Sequence, residues 1–255
     1  MEFISPMSEY TIPNLKNACR ILQLIADSSQ PLTMSHIADT LTLPRSTVFR
    51  ILSTLCEEGW LFREDKSYRM GGALIGLGRK AINSSTINQL ARPILKEVTK
   101  LTGETSQLAI LSGPQVLIVE VEDSPHPLAA HSRPGTGADI HCSASGKVLL
   151  AFGSESERTR IVQEIKYTSH TPNTIKNREE LEKELVSIQK LGYAIDEQEY
   201  HEGIRCIAVP VFDSSNMASY SIGITASTHR FTRRKIKEIS QILKNAADQL
   251  KESTS

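Results

Sequence analysis

The segment spanning residues 43–55 constrains this chain more than any other. Pro44 can open a helix, because its ring presets the helical φ where a missing N–H costs nothing. Val48, Ile51, Leu52 and Leu55 follow at i, i+3, i+4 and i+7 and make one apolar stripe. The opposite face carries Arg45, Ser46, Thr47, Arg50 and Ser53, with no acidic residue among them. A helix that is apolar on one side and guanidinium-plus-hydroxyl on the other suits the donor and acceptor pattern of a DNA major groove.

The flanks give this helix its context. Residues 15–27 read as a helix with Ala18, Ile21, Leu22 and Ile25 on one face, broken by Ser28-Ser29-Gln30-Pro31. Thr33 caps a second helix that runs through Thr40. Gly59 ends the third. Residues 60–63 and 68–70 then read as strands around the polar turn Glu64-Asp65-Lys66-Ser67. Three helices followed by a hairpin predict a winged helix-turn-helix domain over residues 13–72. In that arrangement the third helix enters the major groove and the hairpin lies over the flanking backbone.

Candidate DNA contacts follow: Arg45, Ser46, Thr47, Phe49, Arg50 and Ser53 on the helix, and Lys66, Tyr68 and Arg69 on the hairpin. An arginine can donate two bonds to one guanine, whereas phosphate contacts from Lys66 and Arg69 give affinity and register without reading sequence. Phe49 reads two ways, as a contact for a thymine methyl or as packing against the wing. Trp60, the sole tryptophan, reads as core between wing and third helix in preference to a base-stacking ring, and Tyr68 is open to the same two readings.

With 29 basic and 29 acidic residues the formal charge is zero, which argues against a protein that coats nucleic acid without sequence preference. Cys19, Cys56, Cys142 and Cys206 form no CxxC pair and are expected as free thiols in a reducing cytoplasm. No apolar run reaches membrane-spanning length, and the first 13 residues lack the apolar core of a secretory leader. Residues 1–12 are expected to be a tag remnant or disordered start, with Met7 as the native beginning.

Beyond Gly71-Gly72, residues 73–85 predict a linker helix, with residues 73–83 its helical part and Leu74, Leu77 and Ile82 apolar. The second domain is expected over residues 86–253. It opens with a helix over 87–101, with Leu90, Ile94, Val98 and Leu101 inward. Strands at 105–111 and 116–122 follow, then a third at 128–132 and a flexible loop around Gly135 and Gly137. Helices at 144–152 and 178–191, a strand from Tyr193, strands at 204–212 and 220–227, and a final helix over 233–251 complete an α+β domain. The run Cys142-Ser143-Ala144-Ser145-Gly146-Lys147 precedes a helix. Small residues there leave backbone N–H groups open to a carboxylate; a serine-capped helix without a ligand is the alternative. It is not a phosphate loop, because His141 replaces the first glycine and Val148 follows the lysine.

Four segments carry a resemblance: LPRSTVFRILSTLCEEGWL, ETSQLAILSGPQVLIVEVED, HCSASGKVLLAF and LGYAIDEQEYHEGIRCIAVPVFD. In this order, covering nearly the whole chain, they resemble the IclR family of bacterial transcription regulators. The resemblance implies a DNA-binding domain joined to a GAF-like effector-binding domain. It also implies homodimers or homotetramers on palindromic operators, and control of catabolic operons by small organic acids or aromatic metabolites. Aligned to the family's small-acid site, Ala144, Ser145, Asp196, Cys206, Gly223 and Thr225 line the pocket, with Gly146 at the helix start. Gly223 departs from members that carry serine there, which implies a roomier, less polar pocket. His131 and Arg133 are expected near its mouth.

Three rival readings remain: an interaction module that has lost its operator, an enzyme and a metal sensor. An enzyme would need a nucleophile; no GxSxG elbow is present, and Arg205 stands where a zinc-protease motif starting at His201-Glu202 needs its second histidine. Asp196, Cys206 and His141 are the remaining catalytic combination, and the same three are the ligands of a metal-responsive alternative. The favoured expectation is a cytoplasmic, non-enzymatic repressor of a catabolic operon. It is controlled by a small organic acid, with no other cofactor, no metal ligand and no membrane contact.

Overall fold

The computed structural model describes residues 11–84 and 86–254, so the expected lead-in falls almost wholly outside the described residues. The chain divides after Ser84 into two compact units.

The first unit contains α1 (Pro13–Ala26), β1 (Leu32–Thr33), α2 (Met34–Leu41), α3 (Arg45–Glu57), β2 (Leu61–Glu64), β3 (Ser67–Met70) and α4 (Gly72–Ser84). Thr33 caps α2 by accepting from His36 N–H. Thr42 takes a left-handed φ of 53° and turns the chain into α3. The stripe Val48, Ile51, Leu52 and Leu55 is buried against Ile21, Ile25, Ile37 and Leu61. That burial pins α3 to the body by one face only.

The two-residue β1 was not legible in the sequence; it adds a third antiparallel strand to the wing, Leu32 opposite Tyr68. Gly59, at φ +71°, turns α3 into the wing. A Cβ on Gly71 would stand 2.2 Å from the Gly59 carbonyl oxygen, so Gly71 is required where the wing returns to the helix.

The second unit opens with α5 (Thr86–Thr102) and builds one antiparallel sheet in the order β6-β5-β4-β9-β8-β7. Its strands are β4 (Thr105–Ser112), β5 (Gln115–Glu122), β6 (Gly137–Asp139), β7 (Ala194–Glu197), β8 (Ile204–Phe212) and β9 (Ala218–Ser227). Its other helices are α6 (Ala144–Phe152), α7 (Glu155–Glu164), α8 (Arg178–Leu191) and α9 (Ile236–Thr254). Period-2 alternation sends Ile222, Ile224 and Ala226 of β9 into a core under α5 and α9. The opposite face of the sheet packs on α6 and α8 through residues such as Ala208, Leu149 and Leu185. Thr225 and Cys206, on that second face, look toward the start of α6.

Three expectations need correction. Residues 128–132 form no strand; the third strand is Gly137–Asp139, inside the stretch read as a glycine loop, because it pairs with Gln115–Leu117 on β5. Leu101 is exposed, and α5 turns Ile87, Ala91, Ile94, Leu95 and Val98 inward instead. Helix α7 was missed, although Ser154 and Glu157 carry the capping spacing that starts it; only Ile161 and Val162 are buried, so no apolar stripe marks it.

Candidate functional site

On α3, Arg45, Ser46, Phe49, Arg50 and Ser53 are exposed and Thr47 is half-buried. Neither the Arg45 nor the Arg50 side chain has an ion-pair partner among the described residues. Phe49 is 53 % exposed, which removes the reading in which it packs against the wing. On the hairpin, Lys66 sits at the exposed turn, and Arg69 is exposed but held 3.0 Å from Glu64. Tyr68 is a correction: it is 6 % exposed and belongs to the core beneath the wing, opposite β1, so its side chain is not offered to DNA. Trp60 also packs against that core.

The second unit holds a cavity of about 530 Å³. Of the expected residues, Ala144, Ser145, Asp196, Cys206 and Thr225 line it, with His131. Gly146 and Gly223 do not. A Cβ on Gly146 would meet the Ile140 backbone at 2.6 Å, and one on Gly223 would meet the Ile207 carbonyl oxygen at 2.6 Å. Both glycines serve close backbone packing, so the Gly223 departure reflects strand spacing rather than a lost pocket hydroxyl. Arg133 pairs with Asp123 at 3.3 Å. Gln107, Ser132, Tyr200 and His201 also line the cavity. Gln107 lies on β4, whereas no helical or strand periodicity points at Ser132, Tyr200 and His201.

At the start of α6, the Ser143 side chain accepts from Gly146 N–H, and its carbonyl accepts from Lys147 N–H. The N–H groups of Ala144 and Ser145 are the helix-start donors left over, and both residues face the cavity. The cavity lining contains no lysine or arginine, and its one carboxylate is Asp196. Asp196 is 2 % exposed. Its Oδ1 accepts from Glu199 N–H at 2.6 Å and Tyr200 N–H at 3.4 Å. Burial pushes its pKa up to about 6 despite those donors. Cys206 donates to Thr225 Oγ1 at 3.1 Å, and burial pushes its thiol well above the ordinary value.

The raised Asp196 pKa has a measurable consequence. Below about pH 6 the native state holds a proton that the unfolded chain gives up near pH 4. The residue's stabilising contribution is therefore full below about pH 4 and lost as the pH rises through about 6. In Asp196→Asn, an amide oxygen can keep the two backbone bonds without titrating. The unfolding free energy of the parent, read from urea titrations, should fall relative to the variant between about pH 4 and pH 7, by at most about 3 kcal/mol. Parallel curves would refute this.

His141, Asp196 and Cys206 are not brought together as a catalytic or ligand set. His141 is fully buried beside Tyr167 and His170, with Nε2 3.0 Å from the Thr168 carbonyl, and does not line the cavity. Beneath the cavity runs a pair no motif announced: Lys147, fully buried, holds Glu199 at 2.6 Å.

Residues 79–252 match the bacterial transcriptional regulator IclR C-terminal domain, and residues 15–65 match the IclR helix-turn-helix domain. The chain is 33% identical to the HTH-type transcriptional regulator BhcR of Paracoccus denitrificans, over 92% of this chain and 85% of that protein. It superposes on the crystal structure of IclR from Thermotoga maritima with a TM-score of 0.67, at 32% identity, covering 94% of this chain and 97% of the other. A crystal structure of an IclR homolog from Microbacterium hydrocarbonoxydans, complexed with 4-hydroxybenzoate, shares the fold with a TM-score of 0.71 at 24% identity, covering 94% of this chain and 98% of that one. No helix among the described residues is long and apolar enough to cross a membrane.

Proposed function

The chain belongs to the IclR family, a sequence-specific DNA-binding transcription regulator with a separate effector-binding unit, and on that premise we propose that it is a cytoplasmic repressor of a catabolic operon, released by a small hydroxylated monocarboxylic acid. The observation that carries the ligand class is the start of α6. Ala144 and Ser145, whose N–H groups belong to the first turn of the helix, both line a cavity without lysine or arginine. A single carboxylate suits those donors and the positive end of the helix dipole. A second carboxylate would find no lysine or arginine to pair with in that lining, whereas a ligand hydroxyl can donate to Asp196 or bond Thr225. 4-Hydroxybenzoate, held by the Microbacterium homologue, is itself a monocarboxylate with a hydroxyl.

The regulator works as a homodimer or homotetramer on a palindromic operator, each α3 reading one half-site with Arg45, Ser46, Thr47, Phe49, Arg50 and Ser53, while Lys66 and Arg69 hold phosphates. Exposed Ile12 and Leu15 on and beside α1 support pairing through the first unit. The cavity binds its ligand rather than turning it over: Cys206, the only thiol lining it, is held protonated and so is a poor nucleophile. An effector switches operator affinity only through unequal binding to two arrangements of the assembly.

Ala144→Pro tests the ligand reading. Position 144 is the first residue of α6, where proline fits, and Ser143 before it is already extended. The variant removes one N–H and leaves the helix. Thermal shifts with a panel of hydroxy monocarboxylates should identify a ligand for the parent, adding about 2.7 kcal/mol at a hundred times its Kd. Losing one charge-assisted bond should weaken that ligand about 10–100-fold in the variant. Equal shifts in a folded variant would refute the carboxylate position.

A further inference from the structure

We propose that Asp139, His141 and Cys142 form a binding site for a borderline divalent cation of the zinc type, separate from the effector cavity. One nitrogen of His141, a carboxylate oxygen of Asp139 and Cys142 Sγ lie within 4.8 Å of one another, and the described residues hold no other such group of His, Cys, Asp and Glu. His141 and Cys142 are fully buried and Asp139 is half-buried.

The second observation concerns His141 itself. Its Nε2 is 3.0 Å from the Thr168 carbonyl oxygen, an acceptor, so the ring proton belongs on Nε2. Nδ1 is then a bare lone pair, and it is buried with no hydrogen-bond partner. An imidazole with one N–H fixed by a backbone carbonyl and its other nitrogen unengaged is arranged as metal-ligating histidines are. Nitrogen, thiolate and carboxylate together are zinc's ligand chemistry, at about 2.0–2.3 Å from the metal. Tetrahedral geometry at those lengths places ligand atoms roughly 3.2–3.8 Å apart, so closure asks for a contraction of about 1 Å.

The same backbone stretch joins this site to the effector cavity. Ala138 and Ser143, on either side of the three residues, both line the cavity. His170 Nε2 bonds Asp139 at 2.7 Å, and its ring lies 4.7 Å from that of Tyr200, another cavity residue. Capturing the Asp139 carboxylate competes with His170 or recruits it as a fourth ligand. Either way the cation shifts a group packed on the cavity wall.

The test uses the full-length chain after chelator treatment, titrated with Zn²⁺ alone against a chromophoric chelator, and with Co²⁺ followed by absorbance. One tight zinc per chain is expected, with a thiolate-to-cobalt charge-transfer band. Cys142→Ser should abolish the band and weaken zinc more than about 100-fold, since even supporting residues cost 10–100-fold. Cys206→Ser should preserve both. If Cys142→Ser fails to fold, Asp139→Asn, at a half-buried position, carries the affinity test. Absence of stoichiometric zinc in the parent, or parental affinity in either folded variant, overturns the site. The Ala144→Pro measurement is independent of either outcome.

Discussion

Replacing Glu199 by leucine is expected to destabilise the second unit by about 3 kcal/mol, because it strands a buried ammonium. Lys147 is fully buried on α6, with Glu199 at 2.6 Å and Glu184 at 3.6 Å. Removing one partner of such a pair costs about 3–5 kcal/mol, far more than the intact pair contributes. Glu184, whose side chain is 39% exposed, remains as a weak substitute and places the loss at the lower end. The reverse substitution, Lys147→Met, should cost less in acid than in base. Burial already pushes the Glu199 pKa up, so that carboxyl can neutralise itself by keeping a proton. The double variant Lys147→Met/Glu199→Leu should recover most of the loss. Trp60 is the sole tryptophan and lies in the first unit, so its fluorescence should not move while far-UV circular dichroism reports the second. A single variant costing under about 1 kcal/mol, or a double variant less stable than both singles, would refute this account.

That pair shows what a linear reading reaches and what it does not. The stripe of α3 was legible because its residues lie within three turns, and a 3.6-residue period is a local property; all four stripe residues are buried. Lys147 and Glu199 are 52 residues apart, and nothing near either one names the other. Strand β6 was misplaced for a related reason. Its three residues have little strand character alone, and they become a strand only because β5 offers Gln115–Leu117 as an edge. The resemblance pointed to five residues that do line the cavity, Ala144, Ser145, Asp196, Cys206 and Thr225. Gly146 and Gly223 lie outside that lining and pack against neighbouring backbone. Tyr200 and His201 reach the cavity from the turn after β7, where no periodicity applies.

The second large effect is expected on DNA. Arg45→Ala and Arg50→Ala should each remove about 1–3 kcal/mol of base discrimination per half-site, and a two-fold assembly doubles that. The combined variant should therefore fall to nonspecific affinity. Stability should stay within about 0.5 kcal/mol, since both side chains are exposed and free of ion pairs among the described residues. A duplex enriched from a random pool by the parent protein serves as probe. Two readouts separate the roles of the residues. An arginine bonded to guanine edges should lose preference for particular bases when truncated, with little change in the salt slope. Lys66, at the wing turn, should act on phosphate: Lys66→Ala should weaken all duplexes alike and reduce the slope of log K against log salt by about 1. Arg69 should show less of this, because releasing it from Glu64 offsets part of its phosphate contact. Tyr68→Phe should change nothing on DNA, its ring being inside the core. If both arginine variants, folded by Trp60 fluorescence, keep parental affinity and base preference, α3 does not read the operator through its guanidinium face.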